Sequence, residues 1–201
     1  ITLPDGNEIP PQVASFASPY AENTRVFFAM ALPSIWQAAN VQSAFGIENL
    51  TTAVLIHEMT HTHQFADYSP RIEEIDRQYS IGDTLSDDIV QDTFRENAEY
   101  VAIYEAERDL LYRALAAPTD AEARTLAGEA LAMMRARGAQ YFVGDNAKLA
   151  ELEDIFLTME GIAQWAAYSW QVDARGGGAT SEAAIPGMRR GGRQWSQDEG
   201  M

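Results

Sequence analysis

The sequence predicts a mainly α fold, on three observations. Several long segments carry apolar residues at steps of three and four, two of them are introduced or ended by helix-capping chemistry, and strand-like composition is confined to one short stretch. With 201 residues, length forces no internal boundary, and the reading is one domain spanning 1–201.

Residues 1–24 hold Pro4, Pro10, Pro11 and Pro19 among polar residues, which favours extended and turn backbone and predicts an irregular lead-in. The 25–32 region follows. Its run Val26 to Leu32, closed by Pro33, is rich in β-branched and aromatic residues and reads equally as a short strand or a buried helical turn. Asn49 is a suitable N-cap for a buried helix of about four turns, from Leu50 to about Phe65, containing Val54, Leu55 and Ile56. From about Asp87 to Ala116, Val90, Phe94, Val101, Tyr104, Leu111 and Leu115 recur at helical spacing until Pro118 stops the run.

Thr119 and Glu122 form a capping box for a helix reaching about Arg137, with Gly138 as its end. The most regular segment comes next. Leu149, Leu152, Phe156, Met159, Ala163, Ala166 and Trp170 draw one continuous apolar stripe. Residues 174–193, with Gly176, Gly177 and Gly178 in a row, predict a mobile Gly- and Arg-rich loop. Ser196 and Glu199 have capping-box spacing two residues before the last one, so a C-terminal truncation is expected.

A net charge of −16 and a pI near 4.4 oppose nucleic acid, whose binding relies on Lys and Arg neutralising phosphates. No apolar run is long enough to span a bilayer as a helix, so no membrane insertion is expected. The absence of cysteine excludes disulfides and thiolate-held zinc, leaving His, Asp and Glu as transition-metal ligands. The chain starts at Ile1, which fits a trimmed chain or an exported protein after loss of a signal peptide; a secreted or periplasmic location is the expectation.

The chemistry concentrates in His57-Glu58-Met59-Thr60-His61. Each helical residue advances by about 100°, so His57 and His61 project from one face, one turn apart, and can chelate one ion. Glu58 stands beside the pair without sharing its spacing, as a general base taking a proton from water would. This is the HExxH pattern of zinc metallopeptidases. All three histidines of the chain lie within 57–63, and burying two imidazoles and a carboxylate is costly unless a metal satisfies them. His63 falls about 200° from His61, off the ligand face, whereas Gln64 returns to the face of His57, where it could contact substrate or a ligand.

A catalytic zinc takes three protein ligands and keeps a fourth position open. With no other suitable histidine, the third must be a carboxylate, and Glu96, Glu99, Glu105, Glu107 and Glu160 are the helical candidates. Glu160 is favoured, because it sits in an apolar helix where an unpaired carboxylate is expensive and Gly161, Ala163 and Ala166 permit close approach of another helix. Glu99 is the runner-up.

The HExxH segment together with Glu160-Gly161-Ile162-Ala163 resembles the gluzincins, metallopeptidases in which a glutamate from a later helix joins the two motif histidines. The resemblance covers the motif helix and residues 158–168, and it implies a zincin-like helical fold. It further implies Zn2+ held by His57, His61 and Glu160, Glu58 as general base, and a peptide or protein substrate. Two departures stand out: 98 residues separate His61 from Glu160, far more than is typical, and Gln164 replaces the Asp that often supports a motif histidine. A gluzincin-like mechanism also asks for an oxyanion donor, for which Tyr168 is chosen ahead of Tyr100, Tyr104 and Tyr141. Trp165 and Trp170 read as core or cleft-wall residues. The loop bearing Arg189, Arg190 and Arg193 reads as a connector before a lid.

Two rivals compete with this reading. Glu58 and His61 also fit the Glu-x-x-His of a carboxylate-bridged di-iron bundle, but the second such pair is missing because no histidine follows His63. The other is a non-enzymatic helical metal-binding module, in which Glu58 would have no task.

Overall fold

The computed structural model describes residues 1–20 and 25–189. It is mainly helical. Two antiparallel strands, β1 (Ser15–Tyr20) and β2 (Arg25–Met30), precede seven α-helices among the described residues: α1 (Pro33–Ala38), α2 (Ile47–Tyr79), α3 (Ile89–Phe94), α4 (Ala98–Leu115), α5 (Asp120–Tyr141), α6 (Leu149–Val172) and α7 (Ser181–Arg189). Among these residues no helix is long and apolar enough to cross a membrane.

The chain divides into two compact units. One comprises Ile1–Arg71 with Ile162–Gly187, and the other is built on Ile72–Gly161. In the first, β1 and β2 pair from Ser15↔Met30 to Tyr20↔Arg25, with Phe27 edge-on to both Phe16 and Tyr20. The irregular lead-in expected over 1–24 therefore ends in a strand. Proline-rich extended backbone suits an edge strand as well as a loop once β2 supplies the pairing. The 25–32 region resolves as strand for the same reason. Trp36 of α1 is buried and its indole N–H donates to the Ala31 carbonyl at 3.0 Å.

Helix α2 begins at Ile47 rather than after Asn49, because Gly46 adopts φ +80°, a left-handed turn that glycine enters without strain, and its carbonyl accepts from Leu50 N–H. It also runs 14 residues past Phe65, through Pro70. An interior proline removes one helical hydrogen bond, and the turns beyond it offset that loss by burying Ile75, 1% exposed. Helix α6 closes on Gly176 and Gly177, where Gly177 N–H donates to the Trp170 carbonyl and Ala179 N–H to that of Gln171. Part of the 174–193 stretch is thus regular: α7 occupies Ser181–Arg189 despite Pro186. Arg190, Arg193, Ser196 and Glu199 lie outside the described residues.

In the second unit the single helix expected over 87–116 is two, α3 and α4. Asn97 interrupts it with extended backbone (φ −93°, ψ 94°) and caps α4, its side chain accepting from Tyr100 N–H at 3.1 Å. Thr119 caps α5 from Glu122 N–H as the capping box predicts, while Gly138 is passed and the helix continues to Tyr141. Phe142 follows and folds its ring against Gly138. Helix α4 packs on α5. Phe94 stacks on Tyr100 at 4.1 Å between ring centroids, and Tyr141 meets Tyr100 edge-on at 5.0 Å. Leu149 and Leu152 are 1% and 0% exposed, each contributing on the order of 2 kcal/mol through burial.

Candidate metal centre

Helix α2 sets the site because it carries the whole motif on uninterrupted α backbone. His57 and His61 meet edge to face, with Nε2 to Nε2 at 2.9 Å. His61 and Glu58 are both buried, at 7% and 5% exposure, and His57 is half-buried. Thr60 returns its hydroxyl to the Ile56 carbonyl at 2.8 Å, which satisfies that polar group within the helix. Val54, Leu55 and Ile56 are half-buried rather than enclosed.

Glu160 of α6 is 7% exposed. His57, His61 and Glu160 each offer one ligand atom, and the three atoms all lie within 4.8 Å of one another. Among the described residues this is the one group of three or more His, Asp and Glu side chains able to hold a metal ion. Two imidazole nitrogens and one carboxylate oxygen make a donor set suited to a borderline first-row ion. Tetrahedral bonds of about 2.0–2.1 Å put two ligand nitrogens roughly 3.3 Å apart, so the imidazole pair needs to open by only a few tenths of an ångström. The group fits a metal.

Asp87, in the same unit as Glu160, has a carboxyl held above its ordinary range, first by partial burial and next by the negative charge of Glu160. The other candidate carboxylates have different settings. Glu96 and Glu99 are exposed, and Glu99 faces Tyr141, whose phenol is raised by desolvation first and then by that charge. Glu105 is half-buried. Glu107 is fully enclosed, with both carboxylate oxygens 3.0 Å from Arg137 Nε.

The tyrosines sort in the same way. Tyr100 accepts from Arg137 Nη1 at 2.5 Å and donates to Glu153 at 3.4 Å, and Arg137 also lies 5.1 Å from the centroid of the Tyr104 ring. Tyr168 is half-buried on α6, eight residues beyond Glu160, with its ring 5.5 Å from that of Trp165, which is 62% exposed. His63 is exposed. Gln164 is half-buried one turn after Glu160.

One residue stands in an arrangement that the sequence does not announce. Gln64 is 7% exposed and turns its amide oxygen to His61 Nδ1 at 2.9 Å. Its spacing of three residues from His61 is the signal that marks neighbours on a helix surface.

The chain matches no protein-family model, and neither the curated proteins nor the solved structures gave a match.

Proposed function

We propose that the protein is a zinc-dependent hydrolase of the gluzincin kind, cleaving peptide bonds with His57, His61 and Glu160 as zinc ligands. The observation that supports this reading is the grouping of three ligand atoms within 4.8 Å, with Glu58 buried next to His57 on the motif helix. When bound, zinc supplies a Lewis acid that polarises a carbonyl and makes water a stronger acid. The chain supplies the rest. A carboxylate oxygen of Glu58 takes the proton of the attacking water and returns it to the departing amine nitrogen. Tyr168 is assigned as the hydroxyl that donates to the developing oxyanion.

Glu58 separates this reading from a metal-binding module without activity. A structural zinc site is closed by four protein ligands, whereas three ligands beside a carboxylate leave a reacting position. The test is metal analysis of the purified protein with anomalous scattering at the zinc edge, followed by a peptide-library screen. One equivalent of zinc at His57, His61 and Glu160 with peptide turnover is the expected result. Two carboxylate-bridged irons per chain would overturn it.

A further inference from the structure

Two contacts of 2.9 Å on α2 form a chain of three side chains: His57 Nε2 to His61 Nε2, and His61 Nδ1 to Gln64 Oε1. All three residues belong to one helix of one unit. The amide oxygen can only accept, so the contact with Gln64 requires His61 to carry its proton on Nδ1. A neutral imidazole protonated there has a bare lone pair on Nε2. The second contact agrees with this, since His61 Nε2 can then accept from His57 Nε2.

We propose that Gln64 is a positioning residue that locks His61 in the Nδ1-protonated tautomer and so presents Nε2 to the metal. This rests on the reading that His57, His61 and Glu160 bind an ion. Metal-bound histidines generally donate their second N–H to an acceptor that fixes ring and tautomer. The resemblance places that support at Gln164, after the glutamate; here the acceptor comes from the motif helix itself, three residues after the histidine.

The test uses the full chain and zinc chloride, with affinity from competition against a chelating dye and the tautomer from long-range proton–nitrogen NMR of the imidazoles in zinc-free protein. The wild type should show His61 protonated on Nδ1. Gln64→Leu, which has no acceptor, should weaken zinc binding by about 10–100-fold and release the tautomer preference. Gln64→Glu, which keeps the acceptor, should retain both. Should Gln64→Leu not fold, Gln64→Glu and the wild-type tautomer carry the test.

A wild-type His61 protonated mainly on Nε2, or zinc binding unchanged in Gln64→Leu, overturns the role of Gln64 alone. Loss of the Nδ1 proton signal in a folded Gln64→Glu does the same. A wild-type protein that takes up no zinc overturns the metal-site reading and this proposal with it.

Discussion

Arg137 and Glu107 face each other inside the second unit with 1% and 0% of their surface exposed, joined by paired contacts of 3.0 Å from Nε to both carboxylate oxygens. Glu153 meets the same guanidinium at 2.7 Å from Nη1, so one cation serves two buried carboxylates. Burial raises both glutamates and Arg137 lowers them, with burial prevailing. Burial would lower Arg137, yet Glu107 and Glu153 together raise it and keep it charged. Removing the cation alone is then costly. Arg137→Met is expected to destabilise the protein by about 3–5 kcal/mol, read from urea unfolding, because it strands two carboxylates out of water. A loss under about 1 kcal/mol would mean that the network is not closed as described.

The burial of Glu153 predicts a pH dependence. A glutamate whose folded pKa lies above its ordinary value of 4.5 binds more protons folded than unfolded. Its contribution is fully present below that value and is lost as pH rises through the folded pKa. In Glu153→Gln the amide oxygen still accepts from Arg137 and the titrating charge is gone. The variant should gain stability relative to the wild type as pH rises from about 4.5 to 8, by at most about 1.4 kcal/mol per pH unit. Unfolding midpoints for both proteins across that range check it, and a gain that shrinks with rising pH contradicts the direction of the shift.

Replacing Glu58 tests the proton transfer assigned to it. Glu58→Gln keeps shape and polarity one residue from His57, so zinc content should stay near that of the wild type. Peptide turnover should fall by a factor of about 10²–10⁴, the usual share of a positioned general base. Retained turnover removes Glu58 from that role; loss of zinc would place it among the ligands.

The two candidates for third ligand separate by burial. Glu160 is enclosed within reach of the histidine pair, and Glu99 is exposed beside Tyr141. Glu160→Ala should release zinc at dye-competition concentrations, while Glu99→Ala should leave both zinc content and turnover unchanged. The reverse outcome would move the third ligand to α4.

Much of the fold and of the candidate site is legible in the sequence wherever the signal is local. The face shared by His57 and His61 follows from helical angles, and the cost of a carboxylate in an otherwise apolar helix favours Glu160 over Glu99. Leu149, Leu152, Phe156, Met159 and Ala163 are all buried, as the stripe predicts. What escapes is decided by distant partners or by one rotamer. Glu107 reads only as one of several helical candidate carboxylates until Arg137, 30 residues on, folds over it. The helix expected to end at about Phe65 runs on through Pro70, whose missing bond later turns offset, and Leu115, on an apolar periodicity, is 53% exposed. The break at Asn97 turns on a cap that periodicity cannot see. Gln64 depends on its amide orientation, which spacing alone leaves open.

The close of α6 gives a last prediction, drawn from two glycines with opposite surroundings. A Cβ on Gly177 would stand 2.7 Å from the Gln171 carbonyl oxygen and 2.9 Å from its Cα, both backbone atoms that cannot swing aside. Gly177→Ala must therefore shift the turn that hydrogen-bonds back to Trp170, at a cost of about 1–3 kcal/mol. Gly128, exposed in the middle of α5, has nothing within 4 Å of the same added atom. Gly128→Ala only removes backbone freedom from the unfolded chain and should stabilise by about 0.5–1 kcal/mol. Urea midpoints moving in opposite directions are the expected result. A neutral Gly177→Ala would show that the turn relaxes at no cost, and the tight return of the chain after α6 would lose its reason for glycine.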